Sequence, residues 1–222
     1  MILAAGRGER MRPLTDTCPK PLLTVAGRPL IVWHLERLAR AGLHDVVINH
    51  AHLGGMIESL LGDGAAWGLS IRYSPEPPGA LETAGGIRQA LPFLGESPFL
   101  VMNGDVFCDW DVTGALARIA TGDLVHLVMV PNPDHHRRGD FVLSGGRLLE
   151  TDGQRFTYAG IGIFRPELFS GLEAGRPARL APLLGEAIAA GRAGGELHPG
   201  LWTDVGTPAR LAELDAAVRA RS

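Results

Sequence analysis

LAAGRGERMRPLT, residues 3–15, begins inside a short apolar run and passes at once into a loop rich in glycine and arginine. The apolar residues 2–5 predict a buried first strand, kept short because Met1 stands just before it. Gly6 and Gly8 let the backbone turn tightly and present N–H groups to an anion, and Arg10 and Arg12 add permanently charged forks suited to phosphate oxygens. The pattern predicts a polyphosphate cradle. Dinucleotide and P-loop chemistry are not indicated, because Met11 stands where GxGxxG requires glycine and no GK[ST] follows. Taken alone, the paired glycines fit a structural turn equally well.

Outward from this loop, apolar runs alternate with helical patterns. Residues 29–41 place Leu30, His34, Leu35 and Leu38 on one helical face, and 46–49 reads as the next strand. The alternation continues through a helix near 56–61, a strand at 69–74, a helix at 83–91 and a buried strand at 99–102. This alternation predicts a parallel central sheet, and a further helix near 112–120 and a strand at 124–130 come after it. The pattern then shifts to short strands at 141–143, 148–150 and 158–164 separated by turn signals, an antiparallel signature. Helices are expected at 180–190 and 208–219, with HPGLWTDVGTP between them as a strand end and turn.

The 222 residues, 45% of them hydrophobic, suffice for one sizeable α/β domain. A net charge of −3 carries no broad basic stripe, so no nucleic-acid partner is expected. No apolar run approaches a membrane span and no leader opens the chain, which reads as cytoplasmic with no membrane partner. Cys18 and Cys108 lack any CxxC or Cys/His spacing, which argues against zinc and against a disulfide framework. Among the histidines, His135 and His136 in PNPDHHRRGD read as loop residues, in a segment that would close over a ligand of the second half.

Three further residues join the loop. Lys20 in CPKPLL is flanked by Pro19 and Pro21, which restrict the backbone and aim the ammonium, and it is the expected α-phosphate contact. Asp105, in FLVMNGDVF, lies just past the carboxyl end of a buried strand, where open α/β sheets place ligand groups. Asp204, in LWTDVGTP, precedes another glycine turn. Mg²⁺ favours one or two carboxylates plus phosphate oxygens and water, so Asp105 and Asp204 suffice if the fold joins them; Asp109 and Asp111 are nearby competitors. Read as structure alone, Asp105 would start a turn and Asp204 would precede a helix at Thr207 and Pro208.

LAAGRGERMRPLT, PKPLL, NGDV and WTDVGTP, in that order and spacing, resemble the sugar-1-phosphate nucleotidyltransferases over essentially the whole chain. NHAHLG, IRYSPE, LETAGG and NGDVFCDWD are most similar to the subgroup that carries uridylyl transfer to N-acetylmuramate α-1-phosphate. The resemblance implies a Rossmann-like three-layer α/β/α fold with a mixed central sheet and a small antiparallel sugar-binding portion. It would form one domain over 1–222, with a nucleotide half at about 1–110 and a sugar-phosphate half at about 111–222. It implies Mg²⁺ as cofactor, UTP and a sugar 1-phosphate as substrates, and a monomer or small homo-oligomer.

Carried over by position, the backbone of Ala4, Ala5, Gly6, Arg7, Gly8 and Glu9 would hold the nucleotide, Arg10 the β- and γ-phosphates, and Lys20 the α-phosphate and incoming sugar phosphate. Asp105 and Asp204 would bind Mg²⁺. Base reading falls on 76–86, with Glu76 a candidate acceptor for uracil N3–H and the backbone of Glu82 and Thr83 a partner for its carbonyls; Gly85 and Asn103 complete the nucleotide set. Gly139, Glu150, Tyr158 and Gly160, together with Asp204, match acceptor-contacting positions. Thr151 stands where the family often has lysine, and Glu9 replaces a small hydroxyl residue, as suits the uridylyltransferase subgroup. A lactyl carboxylate on the sugar would call on Arg137, Arg138, Arg155 or Arg179. Competing readings are another sugar-1-phosphate nucleotidyltransferase using GTP or dTTP, and a regulatory subunit that senses nucleotide without chemistry; Lys20, Asp105 and Asp204 together speak against the second.

Overall fold

The computed structural model describes residues 1–221. The chain begins with β1 (Ile2–Ala4), α1 (Leu14–Thr17), β2 (Thr24–Val25), β3 (Arg28–Pro29), α2 (Leu30–Arg40), β4 (Asp45–His50), α3 (Gly54–Leu61) and β5 (Ser70–Pro75). It continues with α4 (Glu82–Leu94), β6 (Phe99–Asn103), β7 (Val106–Cys108), β8 (Val125–Val130), β9 (Phe141–Ser144), β10 (Arg147–Leu149) and β11 (Arg155–Phe164). Last come α5 (Leu180–Ala189), β12 (Ala193–Leu197), β13 (Trp202–Asp204) and α6 (Pro208–Arg219).

These elements form two compact units that interleave in sequence. The first takes residues 1–81, 103–113 and the segment from Leu201 onward; the second takes 82–102 and 114–200. The chain therefore passes between units after Leu81, Met102, Thr113 and Gly200.

In the first unit β4 pairs in parallel with β1 and with β5, as the βαβ pattern predicts. Strand β4 is buried from Val46 to His50, so its apolar residues serve both faces. Helix α2 buries Leu30, Ile31, Val32, His34, Leu35 and Leu38, begins after the extended Pro29, and places Arg37 and Arg40 in its last turn, where cations meet the negative end of the helix dipole. Helix α6 starts where Thr207 accepts a hydrogen bond from the Arg210 N–H at 3.3 Å with Pro208 in the first turn. Strands β13 and β7 form an antiparallel ribbon with Asp204 opposite Val106, an element that the reading of 198–208 as a strand end and turn did not include.

The second unit corrects two expectations. Strand β6, expected to be parallel, runs antiparallel to β11, while β12 pairs in parallel with β8. The helix expected near 112–120 is reduced to a 3-10 turn at Ala115–Ala117: Asp111 accepts from the Thr113 N–H at 2.9 Å and Gly114 is left-handed, so an Asx turn and a φ of 66° stop helical propagation. The antiparallel signature at 141–164 is present in the β9–β10, β9–β11 and β8–β11 pairings.

Candidate active site

The loop after β1 is pinned from below by its own sequence. Met11, which interrupts the dinucleotide pattern, is fully buried in a cluster with Leu23, Val25, Leu30, Val205, Leu214 and Val218. One side chain thus fixes the loop to α6 and to the residue after Asp204. Gly8 adopts φ 69°, and a Cβ there would come within 3.0 Å of the Thr15 methyl and 3.4 Å of Lys20 Cβ. Its carbonyl accepts from the Thr15 hydroxyl and the Met11 N–H, both at 2.9 Å.

The three loop arginines have different fates. Arg7 donates to the Thr15 carbonyl at 2.6 Å and pairs with Asp16 at 3.0 Å, and Arg12 pairs with Asp16 at 3.0 Å and Glu9 at 3.4 Å. Arg10 instead lines a cavity of about 230 Å³ with Gly8, Glu9, Met11, Lys20 and Gly206. Among the described residues it makes no ion pair. The fork expected of Arg12 is engaged within the loop, and Arg10 faces the opening.

Lys20 is buried, and its Nζ lies 2.5 Å from Asp105 Oδ2. Asp105 is brought there by a close backbone approach: the Gly104 N–H donates to the Leu3 carbonyl at 2.8 Å, and a Cβ at Gly104 would sit 2.8 Å from that oxygen. Asn103, half-buried, ends β6 just before this turn. On the ribbon side the Val205 N–H donates to the Asp105 carbonyl at 2.8 Å, so Asp105 and Asp204 meet at adjoining ends of β7 and β13. Asp204 Oδ1 is held by Arg210 Nη1 at 2.6 Å. A Cβ on Gly206 would fall 2.0 Å from Arg210 Nη2 and 3.2 Å from Arg10 Nη2, so glycine leaves room for both guanidinium groups.

Two residues of α2, the buried His34 and the half-buried Arg37, support this region without having been given a part in the site from sequence. Arg37 donates to the carbonyls of Cys108 and Trp110, tying down the chain after β7. His34 packs against the backbone around Asn103 and Val106; burial pushes its imidazole down to about 4, helped by the Arg37 charge. The signal for His34 was a polar residue on the buried side of an otherwise apolar helix.

Of the residues expected to read the base, Glu76 is buried and accepts from Asn49 Nδ2 at 2.6 Å and from the Leu81 N–H at 2.7 Å. Within the second unit, Glu82 begins α4 at φ 56° and pairs with Arg179 at 3.2 Å, beside the half-buried Thr83. The N–H groups of Ala84 and Gly85 donate to the Ala178 carbonyl at 2.9 and 3.1 Å. Gly139 has φ 62° and abuts Asn132 and Arg155, and Gly160 has φ 72° where the β11 register shifts. Asp140 accepts from the Tyr158 N–H at 2.8 Å, and burial raises the Tyr158 hydroxyl, with Asp140 adding to the effect. Glu150 is exposed at the end of β10. Of the four arginines offered for a carboxylate, Arg137 pairs with Asp134, Arg155 donates to the Asp140 carbonyl and Arg179 holds Glu82; among the described residues Arg138 makes no ion pair.

Both cysteines are free thiols, with Cys108 buried and pushed up to about 11 by desolvation. Among the described residues no three His, Cys, Asp or Glu side chains gather as a metal cluster, and no helix is long and apolar enough to cross a membrane.

A loop with a free arginine, a proline-flanked lysine and two carboxylates on adjoining strand ends is an arrangement for phosphoryl chemistry, and the family model for nucleotidyl transferases matches residues 1–221. The chain belongs to the nucleotidyl transferase family. Among the relatives of this nucleotidyl transferase, a Neisseria meningitidis serogroup B protein named N-acetylmuramate alpha-1-phosphate uridylyltransferase is 57% identical, covering 97% of this chain and 96% of the relative. A Caulobacter vibrioides protein of the same name is 36% identical over 96% of each. A solved structure from Bacillus anthracis, named for a glucose-1-phosphate thymidylyltransferase, aligns with a TM-score of 0.87 at 22% identity, covering 98% of this chain and 94% of that one. This likeness shows the nucleotidyltransferase fold, and the enzyme is a sugar-1-phosphate nucleotidyltransferase.

Proposed function

We propose that this enzyme transfers UMP from UTP to N-acetylmuramate α-1-phosphate, giving UDP-N-acetylmuramate and pyrophosphate in the recycling of cell-wall sugar. The observation that carries it is the buried Lys20–Asp105 pair at 2.5 Å beside the Arg10-lined cavity. The choice of substrates rests on likeness to the Neisseria protein. These substrates place the reaction in the cytoplasm.

The nucleophile is a phosphate oxygen of the sugar 1-phosphate, already anionic at neutral pH. It forms a bond to the α-phosphorus as the bond to the β-phosphate oxygen breaks, and the electron pair leaves with pyrophosphate; no proton has to move. The obstacle is the repulsion between two anions, so fixed cations near the α-phosphate supply most of the advantage. Lys20 offsets charge where the oxygens crowd, and Arg10 holds the leaving phosphates.

The donor set fits Mg²⁺. Two carboxylates joined through the Val205–Asp105 backbone bond, with no third acidic or histidine ligand gathered among the described residues, match an ion that takes its remaining ligands from phosphate and water. Asp105 and Asp204 would hold it, and when bound it would neutralise phosphate charge. Lys20 and Arg210 balance these carboxylates from within the protein.

Pyrophosphate release from UTP, dTTP, GTP and CTP against the 1-phosphates of N-acetylmuramate, N-acetylglucosamine, glucose and mannose tests the reading. The highest kcat/KM is expected for UTP with N-acetylmuramate 1-phosphate; a higher value for another pair overturns the substrate assignment.

A further inference from the structure

Ala4, Asn49, Glu76 and Leu81 form a buried chain of hydrogen bonds. The Ala4 N–H donates to Asn49 Oδ1 at 2.9 Å, Asn49 Nδ2 donates to Glu76 Oε1 at 2.6 Å, and the Leu81 N–H donates to Glu76 Oε2 at 2.7 Å. All four residues are less than a tenth exposed. Asn49 is one of two buried polar residues at the carboxyl end of β4, and the carbonyl of the other, His50, accepts from the Glu76 N–H at 2.8 Å. Between Glu76 and Leu81 the backbone folds back through Gly79 at φ 102° and Ala80 at φ 57°. A left-handed alanine is disfavoured by its own Cβ, so that turn needs the closure Glu76 provides.

The chemistry of this chain has a fixed direction. Both ends are backbone N–H groups, which can only donate. An asparagine brings one acceptor oxygen and one donor nitrogen, so it can serve Ala4 only by turning its donor toward position 76. Position 76 must then accept from two sides at once, and a carboxylate does so. Glutamine there would place donor against donor, either at Leu81 or, if both amides flipped, at Ala4.

We infer that Asn49 and Glu76 are positioning residues for nucleotide recognition: they lock the start of the phosphate loop at Ala4 and the segment ending at Leu81 into one rigid frame. The uracil is then read by backbone groups of that frame. Glu76 acts through Leu81, each of its oxygens accepting one hydrogen bond within the frame. This goes beyond the proposed reaction and rests on its nucleotide reading.

The test exploits the direction of the bonds. Glu76→Gln is expected to weaken UTP binding about 10- to 100-fold, raising KM far more than it lowers kcat, and to lower Tm. Asn49→Asp alone sets two carboxylates face to face and is expected to be at least as impaired. The double variant Asn49→Asp/Glu76→Gln restores all three bonds with the charge moved one residue along the chain of bonds. The introduced aspartate accepts from Ala4 and from the introduced amide nitrogen at position 76, while the oxygen of that same amide accepts from Leu81. The double variant is expected to recover UTP binding to within a few fold of native, measured by calorimetry, together with Tm. Recovery of Tm without UTP binding would show that Glu76 meets the base directly and would overturn the inference. So would a Glu76→Gln protein with native UTP affinity, or a double variant that fails to fold. Because Kd is read on whichever triphosphate the native chain binds tightest, an error in the choice of UTP is separable from an error in the frame.

Discussion

The loop after β1 in the first unit, proposed to hold phosphate, and the positions of the second unit expected to contact the acceptor are built on opposite plans. Around the loop, charged side chains are fixed by named partners: Lys20 by Asp105, Arg210 by Asp204, and Arg7 and Arg12 by Asp16. At the acceptor positions, Gly139 and Gly160 contribute a positive φ, Tyr158 contributes an N–H to Asp140, and Glu150 stands exposed. Phosphates carry formal charge, and stabilising it requires ions whose own solvation has been replaced by fixed protein groups. Hydroxyl and amide groups on a sugar are neutral, and a shaped backbone suffices for them, whereas the lactyl carboxylate of the proposed acceptor would still call for a cation.

Disabling the loop should therefore cost far more than altering the acceptor positions. The largest effect is expected from Asp105→Asn, which would remove the hard anionic ligand proposed for Mg²⁺ yet keep the backbone bond from Val205 and an oxygen for Lys20. Turnover should fall on the order of 10³ or more, with a changed Mg²⁺ titration and a native circular dichroism spectrum. Retained activity with an unaltered titration would remove Asp105 from the metal site. Next comes Lys20→Ala, with a loss on the order of 10² in kcat and a smaller change in UTP affinity. Near-native turnover in a steady-state pyrophosphate-release assay contradicts the charge-offset role.

The same contrast decides what was legible in the sequence. Charge chemistry selects residue types, which is why the sequence offered Lys20, Asp105 and Asp204, and the fold pairs Lys20 with Asp105 and sets Asp204 on the strand beside it; α6 was bounded correctly because Thr207 and Pro208 are explicit start signals. What decides strand direction is pairing, which hydrophobic patterning does not carry, so the antiparallel β6–β11 pair and the parallel β8–β12 pair were not visible. Arg7, Arg10 and Arg12 look equivalent in composition; only the turn at Glu9–Met11, pinned by buried Met11, separates the arginine facing the cavity from the two tied to Asp16. The Asn49–Glu76 bond joins residues 27 apart with no shared periodicity, and only the polar break in an apolar strand hinted at it.

The loop's support is also expected to be pH-sensitive. His34 is held at about 4 against an ordinary 6.5 by burial. As pH falls below 6.5 the unfolded chain takes up this proton and the folded chain does not, so stability is lost progressively down to about 4. Between pH 6.5 and 5 the loss from this residue should approach about 2 kcal/mol. Urea unfolding of the native protein and His34→Phe at pH 7 and 5 measures it; equal pH dependence in the two proteins refutes the assignment. A step smaller is Gly139→Ala, whose Cβ would lie 2.7 Å from Asn132 Oδ1 and 2.9 Å from the Arg155 carbonyl carbon at a left-handed φ. It should cost about 1 to 2 kcal/mol and leave UTP affinity unchanged, and a coincident fall in UTP affinity would erase the contrast between the units.

The smallest effect tests the contrast from its weak side. Glu150 is exposed, and no ion pair among the described residues depends on it. Glu150→Gln should therefore alter stability by no more than about 0.5 kcal/mol, the range of surface substitutions. If its carboxylate meets a sugar hydroxyl, replacing one charged acceptor by a neutral one should raise KM for the sugar 1-phosphate about 5-fold, equivalent to about 1 kcal/mol, with kcat and the UTP KM unchanged. A change confined to the acceptor KM would place Glu150 at the sugar despite its exposure. An unchanged acceptor KM would remove that role and leave backbone shape as the acceptor's main recognition. A loss of kcat comparable to that of Lys20→Ala would refute the contrast itself, because an exposed carboxylate in the second unit would then carry as much transition-state stabilisation as a buried cation in the first.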